Sequence, residues 1–200
     1  MKNLDGEDHI VLRKGRNPYM WMIKCIYFIL PCYFANMAPP IAKRFSILKF
    51  LDKPVDFNLK IKNQPILGKH KTLRGFIVGI IIAICVCVFQ KYIFRFDFFF
   101  KISLLNYDKV NAFLLGLLMG FGSLFGDSVG SFIKRRFKKP EGRSFIFLDQ
   151  LCFVIGALLF SSFIYLPDTE YIIFILVATF FLHILVNHIG YWLKIQENKW

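Results

Sequence analysis

The chain has 200 residues, 56% of them hydrophobic and 18% aromatic, with a mean hydropathy of +0.50 and a formal net charge of +13. That apolar content exceeds the usual composition of a soluble globular domain, and the lysines and arginines fall between long apolar runs. The distribution argues against nucleic acid as the partner of the charge and points to an all-α, multi-span membrane protein that meets anionic lipid or an anionic substrate. The cysteines (25, 32, 85, 87 and 152) all lie inside apolar runs without metal-type histidine spacing, which reads as buried free thiols and no disulfide framework.

Residues 1–18 form a polar segment of mixed charge, followed by one membrane-embedded domain over 19–200. A first span is expected from Tyr19 to Ala38, carrying Lys24 and Pro31. The long polar leader and the lack of an A-x-A site argue against signal-peptide cleavage. Pro31 frees a backbone carbonyl that then needs a local partner. Asn36, beside the expected helix break at Pro39-Pro40, reads equally well as a polar site group or as a turn amide.

From Ile41 to Arg74 the chain is a long basic loop in which Asp52 and Asp56 are the acidic residues. Phe45, Ile47, Leu48, Phe50 and Leu51 alternate with its charges, as in an amphipathic piece lying along a membrane. Gly68-Lys69-His70-Lys71-Thr72 is not a P-loop, since no glycine stands five positions before Gly68. It is still a plausible anion-binding turn, with Lys69, Lys71, Thr72 and Arg74 as donors.

A second span runs from Phe76 to Phe89, extendable to Phe94, and leads into an aromatic patch, Arg95 to Lys101, of the kind found at headgroup level. The third span, Val110 to Ile133, carries Gly116-x-x-x-Gly120 and Gly122-x-x-x-Gly126-x-x-x-Gly130, spacings that let neighbouring helices approach closely. Near its end Asp127, Ser131, Lys134 and Arg135 stand at i, i+4, i+7 and i+8, on one helical face. Asp149 closes the basic loop that follows. Basic clusters at helix ends are ordinary topology signals, but a carboxylate at the border of a span is costly and usually has a partner. Two carboxylates, a hydroxyl and several cations at a membrane surface have the layout of a metal-and-phosphate site.

A fourth span is expected over Phe147 to Leu166 and a fifth over Tyr171 to Leu193, joined by an acidic hairpin at Asp168 and Glu170. In the last helix His183 and Asn187 share a face. His188 points elsewhere and reads as an interhelical hydrogen-bonding group. Five spans put the Ile41–Arg74 loop, the Lys134–Arg143 loop and the tail with Lys194 and Lys199 on one side. The positive-inside rule makes that side cytoplasmic, in a multi-pass arrangement in the cell membrane.

The motifs carry a resemblance. Gly126-Asp127, then Ser131-Phe132-Ile133-Lys134-Arg135-Arg136, then Asp149-Gln150-Leu151 resemble the CDP-archaeol synthases, relatives of the phosphatidate cytidylyltransferases. Pro31 to Pro39, Gly68 to Gly75, and His183, Asn187, Gly190 and Tyr191 extend the likeness over nearly the whole chain after residue 20. The resemblance implies a nucleotidyltransferase that joins CTP to a membrane lipid phosphate, giving a CDP-lipid and pyrophosphate. It further implies Mg²⁺ on Asp127 and Asp149, with Lys134 also catalytic, and phosphate contacts from Lys69, Lys71, Thr72, Arg74, Ser131 and Arg135. Asn36, Gln150, His183 and Asn187 would stand at the edge of the site. Leu73 replaces a frequent tryptophan, Cys152 a frequent aspartate, and Phe145 and Ile146 frequent prolines. None of these departures removes an implied metal ligand. An ester-lipid cytidylyltransferase and a non-catalytic lipid-binding or transport protein are the alternatives. The second is poorly served by charges gathered at one end of the spans.

Overall fold

The computed structural model describes residues 18–62, 64–138, 145 and 147–192. Residues 1–17, the side chain of Asn187, most of the second basic loop (139–144), Ile146, Lys194 and Lys199 lie outside the described residues.

The element order is α1 (Pro18–Arg44), a 3-10 turn (Lys49–Leu51), β1 (Lys60–Ile61), β2 (Gln64–Pro65), α2 (Leu73–Ile93), α3 (Asp97–Ile102), α4 (Ala112–Arg136), α5 (Leu148–Ser161) and α6 (Thr169–Trp192). Among the described residues the fold is all-α apart from the two-stranded antiparallel hairpin. Among them three helices, α1, α2 and α4, are long and apolar enough to cross a membrane. At 14 residues, α5 extends only about 21 Å, less than a hydrocarbon core of roughly 30 Å. It ends at Ser161, short of the expected Leu166.

The first helix does not break at Pro39-Pro40 but continues to Arg44. Prolines inside a helix leave the carbonyl four residues back without its amide, and at Pro31 a neighbouring helix answers that loss. Pro31 orphans the Tyr27 carbonyl, which accepts 2.7 Å from Gln90 Nε2 of α2, while Tyr107 donates to Gln90 Oε1 at 2.9 Å. Pro39 orphans the Ala35 carbonyl, and α2 presents Gly79 to it so closely that a Cβ there would lie 2.8 Å from that oxygen.

The small-residue spacings of α4 do divide between two neighbours. Gly116 and Gly120 pack on Ala83, Ile84 and Ile80 of α2, whereas Gly122 and Gly126 meet Gly156 and Cys152 of α5. An outer core of Phe28, Leu104, Leu105, Tyr107, Leu115 and Met119 closes the opposite end of the bundle from the basic loops. There α6 joins α1 through Trp21, which packs on Tyr171 and Phe174 at 5.6 and 4.9 Å. The aromatic patch becomes α3, with Phe96, Phe98 and Phe100 exposed and Arg95 stacked 4.0 Å over Tyr92. All five cysteines are free; Cys25, Cys32 and Cys87 are buried as expected, but Cys85 is exposed and Cys152 half-buried.

A Cβ at Gly122 would sit 2.5 Å from the Gly156 carbonyl oxygen. Gly122→Val is therefore expected to cost roughly 1–3 kcal/mol and lower the thermal midpoint by about 2–12 °C in detergent. Leu159→Val, on an exposed face, should leave it within about 1 °C on the same scan.

Candidate active site

The ends of four helices meet where the basic segments gather: the C-termini of α1 and α4 and the N-termini of α2 and α5. Helix-dipole physics favours the charges found there, with Lys134, Arg135 and Arg136 in the last turn of α4 and Asp149 in the first turn of α5. That preference accounts for single charges at single ends. It does not account for the cross-element pairs.

Asp127 of α4 is ion-paired with Lys71, from the segment that precedes α2. Lys134, two turns beyond Asp127 on the same helix, donates to Asp149 Oδ1 at 2.5 Å, and the backbone N–H of Phe145 donates to Asp149 Oδ2 at 2.8 Å. Each carboxylate thus holds a cation delivered by a different element. Both side chains keep access to solvent, at 26% exposure for Asp127 and 19% for Asp149.

Backbone contact between α4 and α5 brings the two halves together. A Cβ on Gly126, the residue before Asp127, would stand 2.1 Å from the Cys152 carbonyl oxygen. Cys152 lies one turn after Asp149, and its thiol packs beside Gly130 and within electrostatic reach of Asp127, Asp149 and Lys134. His183 of α6 feels the same three charges, while its ring packs 5.7 Å from Phe153. Ser131 and Arg135 are buried on the same stretch of α4, and Gln150 is buried beside Asp149, its Oε1 without a hydrogen-bond partner among the described residues. Asn36 is half-buried on α1, one turn past Tyr33, whose hydroxyl bonds Thr179 of α6 at 2.7 Å.

The segment before α2 is a folded cap. Asp56 is buried, and its carboxylate accepts from the amides of Asn58, Leu67 and Gly68 at 3.0, 2.8 and 3.2 Å. Gly68 takes φ 100°, a backbone conformation that glycine adopts without strain. An isolated bridge joins Pro54 to Thr72, through the Val55 amide on the Lys71 carbonyl at 2.8 Å and the Leu73 amide on the Lys53 carbonyl at 2.9 Å. Thr72 caps α2, its hydroxyl accepting from the Gly75 amide at 3.2 Å. Arg74 is buried and paired with Asp52 at 2.9 Å. Lys69 is exposed. The structure therefore brings Lys71, Asp127, Ser131, Lys134, Arg135 and Asp149 together at one end of α4, and engages Thr72 and Arg74 in holding the cap.

Sequence reasoning missed the organising roles of Asp52, Asp56 and Arg136. The first two could have been found as the acidic residues in an otherwise basic loop, which must each serve a cation or a turn.

The donor set is compatible with a hard divalent cation that binds through oxygen. Among the described residues no group of three or more His, Cys, Asp and Glu side chains gathers into a protein-only cage. Two solvent-accessible carboxylates match Mg²⁺, which keeps several waters and binds through one or two carboxylates plus substrate phosphates. Lysine ammonium groups stand against both carboxylates, which marks the positions as built for positive charge.

Residues 19–200 match the family described as CarS-like, CDP-archaeol synthase. A CDP-archaeol synthase of Archaeoglobus fulgidus is 35% identical over 185 residues, covering 90% of this chain and 98% of the relative. One from Thermococcus onnurineus is 36% identical over 180 residues, covering 90% and 97%. A solved structure of an intramembrane enzyme for archaeal membrane lipid biosynthesis superposes with a TM-score of 0.66 at 25% identity, covering 83% of this chain and 94% of that one.

Arg74→Ala strips the cap of the pair between the buried Arg74 guanidinium and the exposed Asp52 carboxylate. It is expected to lower the thermal midpoint by roughly 2–8 °C, the scale of about 1–2 kcal/mol. Lys69→Ala, at an exposed position, should shift it by no more than about 1 °C in the same calorimetric scan.

Proposed function

The chain belongs to the CDP-archaeol synthase family, and on that premise we propose that it transfers the cytidylyl group of CTP to an ether-lipid phosphate at the membrane surface. The family carries the CDP-archaeol synthase function. The observation that carries the finer reading is the pair of carboxylates, Asp127 and Asp149, on adjoining helix ends, each neutralised by a lysine from elsewhere. Such a site is a ready acceptor of cations and, once they are present, of phosphates.

The reaction brings one anion to another. A lipid phosphate oxygen attacks the α-phosphorus of CTP, a new P–O bond forms, and the bond from the α-phosphorus to the bridging oxygen breaks to release pyrophosphate. A triphosphate carries about four negative charges near neutral pH, so cationic residues must offset repulsion before the reactants meet. Mg²⁺ held by Asp127 and Asp149, as one ion or two, supplies charge neutralisation and polarises the phosphoryl oxygens. Lys71 and Lys134, which pair with these carboxylates in the structure, would offer their ammonium groups to the phosphates. Arg135 and Ser131 donate to phosphate oxygens from the same face of α4, and Lys69 reaches from the exposed turn. No general base is called for, because the lipid phosphate is already ionised.

Thr72 and Arg74 act in this reading by shaping the cap. Asn36, Gln150 and His183 line the side toward α1 and α6. The two lipid tails stay in the bilayer throughout. A cytoplasmic face for the basic cap gives CTP direct access to the site, with α5 and α6 packed beside α1, α2 and α4.

The test is pyrophosphate release by purified protein supplied with CTP, divalent cation and a panel of lipid phosphates. Wild-type protein is expected to require all three and to turn over ether-linked lipid phosphates. Asp127→Asn and Asp149→Asn should each lower kcat/KM by about 10²–10³-fold or more, the scale of losing one preorganised electrostatic contact. Unchanged turnover in either variant would remove that carboxylate from the site.

A further inference from the structure

Arg136 is the last residue of α4, and its guanidinium reaches away from the carboxylates. Nη1 donates to the Ile61 carbonyl at 3.1 Å, and Nη2 donates to the carbonyls of Pro65 at 2.8 Å and Gln64 at 3.4 Å. The ring of Phe132, one turn earlier, lies 5.2 Å from the guanidinium carbon and supports it from the helix side. Three backbone oxygens of the β1–β2 hairpin therefore converge on one side chain.

That hairpin is poorly able to hold itself. Its strands have two residues each, and a lone two-stranded hairpin is marginal in water. Phe57, Asn58 and Lys62 take positive φ of 49°, 62° and 50°, conformations that cost free energy for residues other than glycine and persist only where surroundings enforce them. The surroundings here are the Asp56 carboxylate from within the cap and Arg136 from outside it.

A continuous path links the hairpin to the catalytic carboxylate. Asp56 ties the hairpin's base to the Leu67 and Gly68 amides, the Lys71 amide bonds the Gly68 carbonyl at 3.3 Å, and the Lys71 carbonyl is held by the Val55 amide. Lys71 then pairs with Asp127. The cap is tethered to α4 at two points, through Lys71 to Asp127 and through Arg136 to the hairpin.

We propose that Arg136 is a positioning residue that clamps the β1–β2 hairpin to the end of α4 and thereby sets Lys71 beside Asp127 for CTP. The proposal rests on the reading of Lys71 as a nucleotide contact. Its chemistry is specific to the guanidinium fork: five planar N–H donors can serve several carbonyls at once, whereas a lysine ammonium cannot hold the same set. A phosphate contact, by contrast, would be served in large part by either cation.

The experiment compares wild type, Arg136→Lys and Arg136→Ala by hydrogen exchange and by CTP kinetics. Both variants are expected to lose amide protection over residues 59–68 while α1, α2 and α4 keep theirs. Both should raise KM for CTP roughly tenfold or more, the scale of a lost charge-assisted contact, with a smaller change in kcat. Because Arg136 acts through Lys71, Arg136→Ala placed in a Lys71→Ala background should add less than about twofold. Restoration of KM by Arg136→Lys, an additive loss in the Lys71→Ala background, or hairpin protection unchanged in Arg136→Ala would each overturn the proposal. A wild-type protein without CTP-dependent turnover would instead defeat the functional reading, and the hydrogen-exchange comparison would still decide whether Arg136 clamps the hairpin.

Discussion

The backbone contact between α4 and α5 is the constraint on which the site depends. Gly122 and Gly126 on one helix and Gly156 on the other leave no room for a Cβ, with carbonyl oxygens standing 2.1–2.5 Å from where one would be. Inside a bilayer, apolar side chains gain little by leaving lipid for protein, so close packing of this kind supplies much of the association energy. It also has a chemical consequence. Asp127 follows Gly126 directly, and Asp149 stands one turn before Cys152, whose carbonyl Gly126 touches. Bulkier residues at these positions would push the helices apart and separate the two carboxylates.

The lysine pairs solve a second physical problem. Two carboxylates close together near a membrane repel each other and resist desolvation. Lys71 and Lys134 offset both effects when the nucleotide is absent. In the proposed reaction the same ammonium groups would pass to the triphosphate. The buried Ser131 and Arg135 extend the cluster along α4.

How far the sequence foretold this depends on the range of the interaction. Local periodicity was enough to find the long apolar helices, to mark the α4 glycines as close-packing positions and to align Asp127 with Ser131, Lys134 and Arg135. The need for a partner at the carbonyl freed by Pro31 was also legible, though Gln90 as that partner was not, because the contact spans 63 residues. The persistence of α1 through Pro39-Pro40 was not legible either: α2 packs on that stretch, with Gly79 against the Ala35 carbonyl and Gly75 against the Pro39 ring, and both contacts come from another helix. The loop before α2 read as basic and amphipathic, but its order comes from Asp52, Asp56 and Arg136, whose partners follow no helical or strand period. Charge type was visible in the sequence, and charge pairing was not.

The claim at the centre is that Asp127 and Asp149 hold one cation-and-triphosphate site between them. Mn²⁺ can stand in for Mg²⁺ and be observed directly by electron–nuclear resonance in the presence of CTP and purified protein. A shared site predicts phosphorus coupling to protein-bound Mn²⁺ in the wild type, and loss of that signal in both Asp127→Asn and Asp149→Asn while each variant stays folded. Persistence of the full coupling in either folded variant would contradict it.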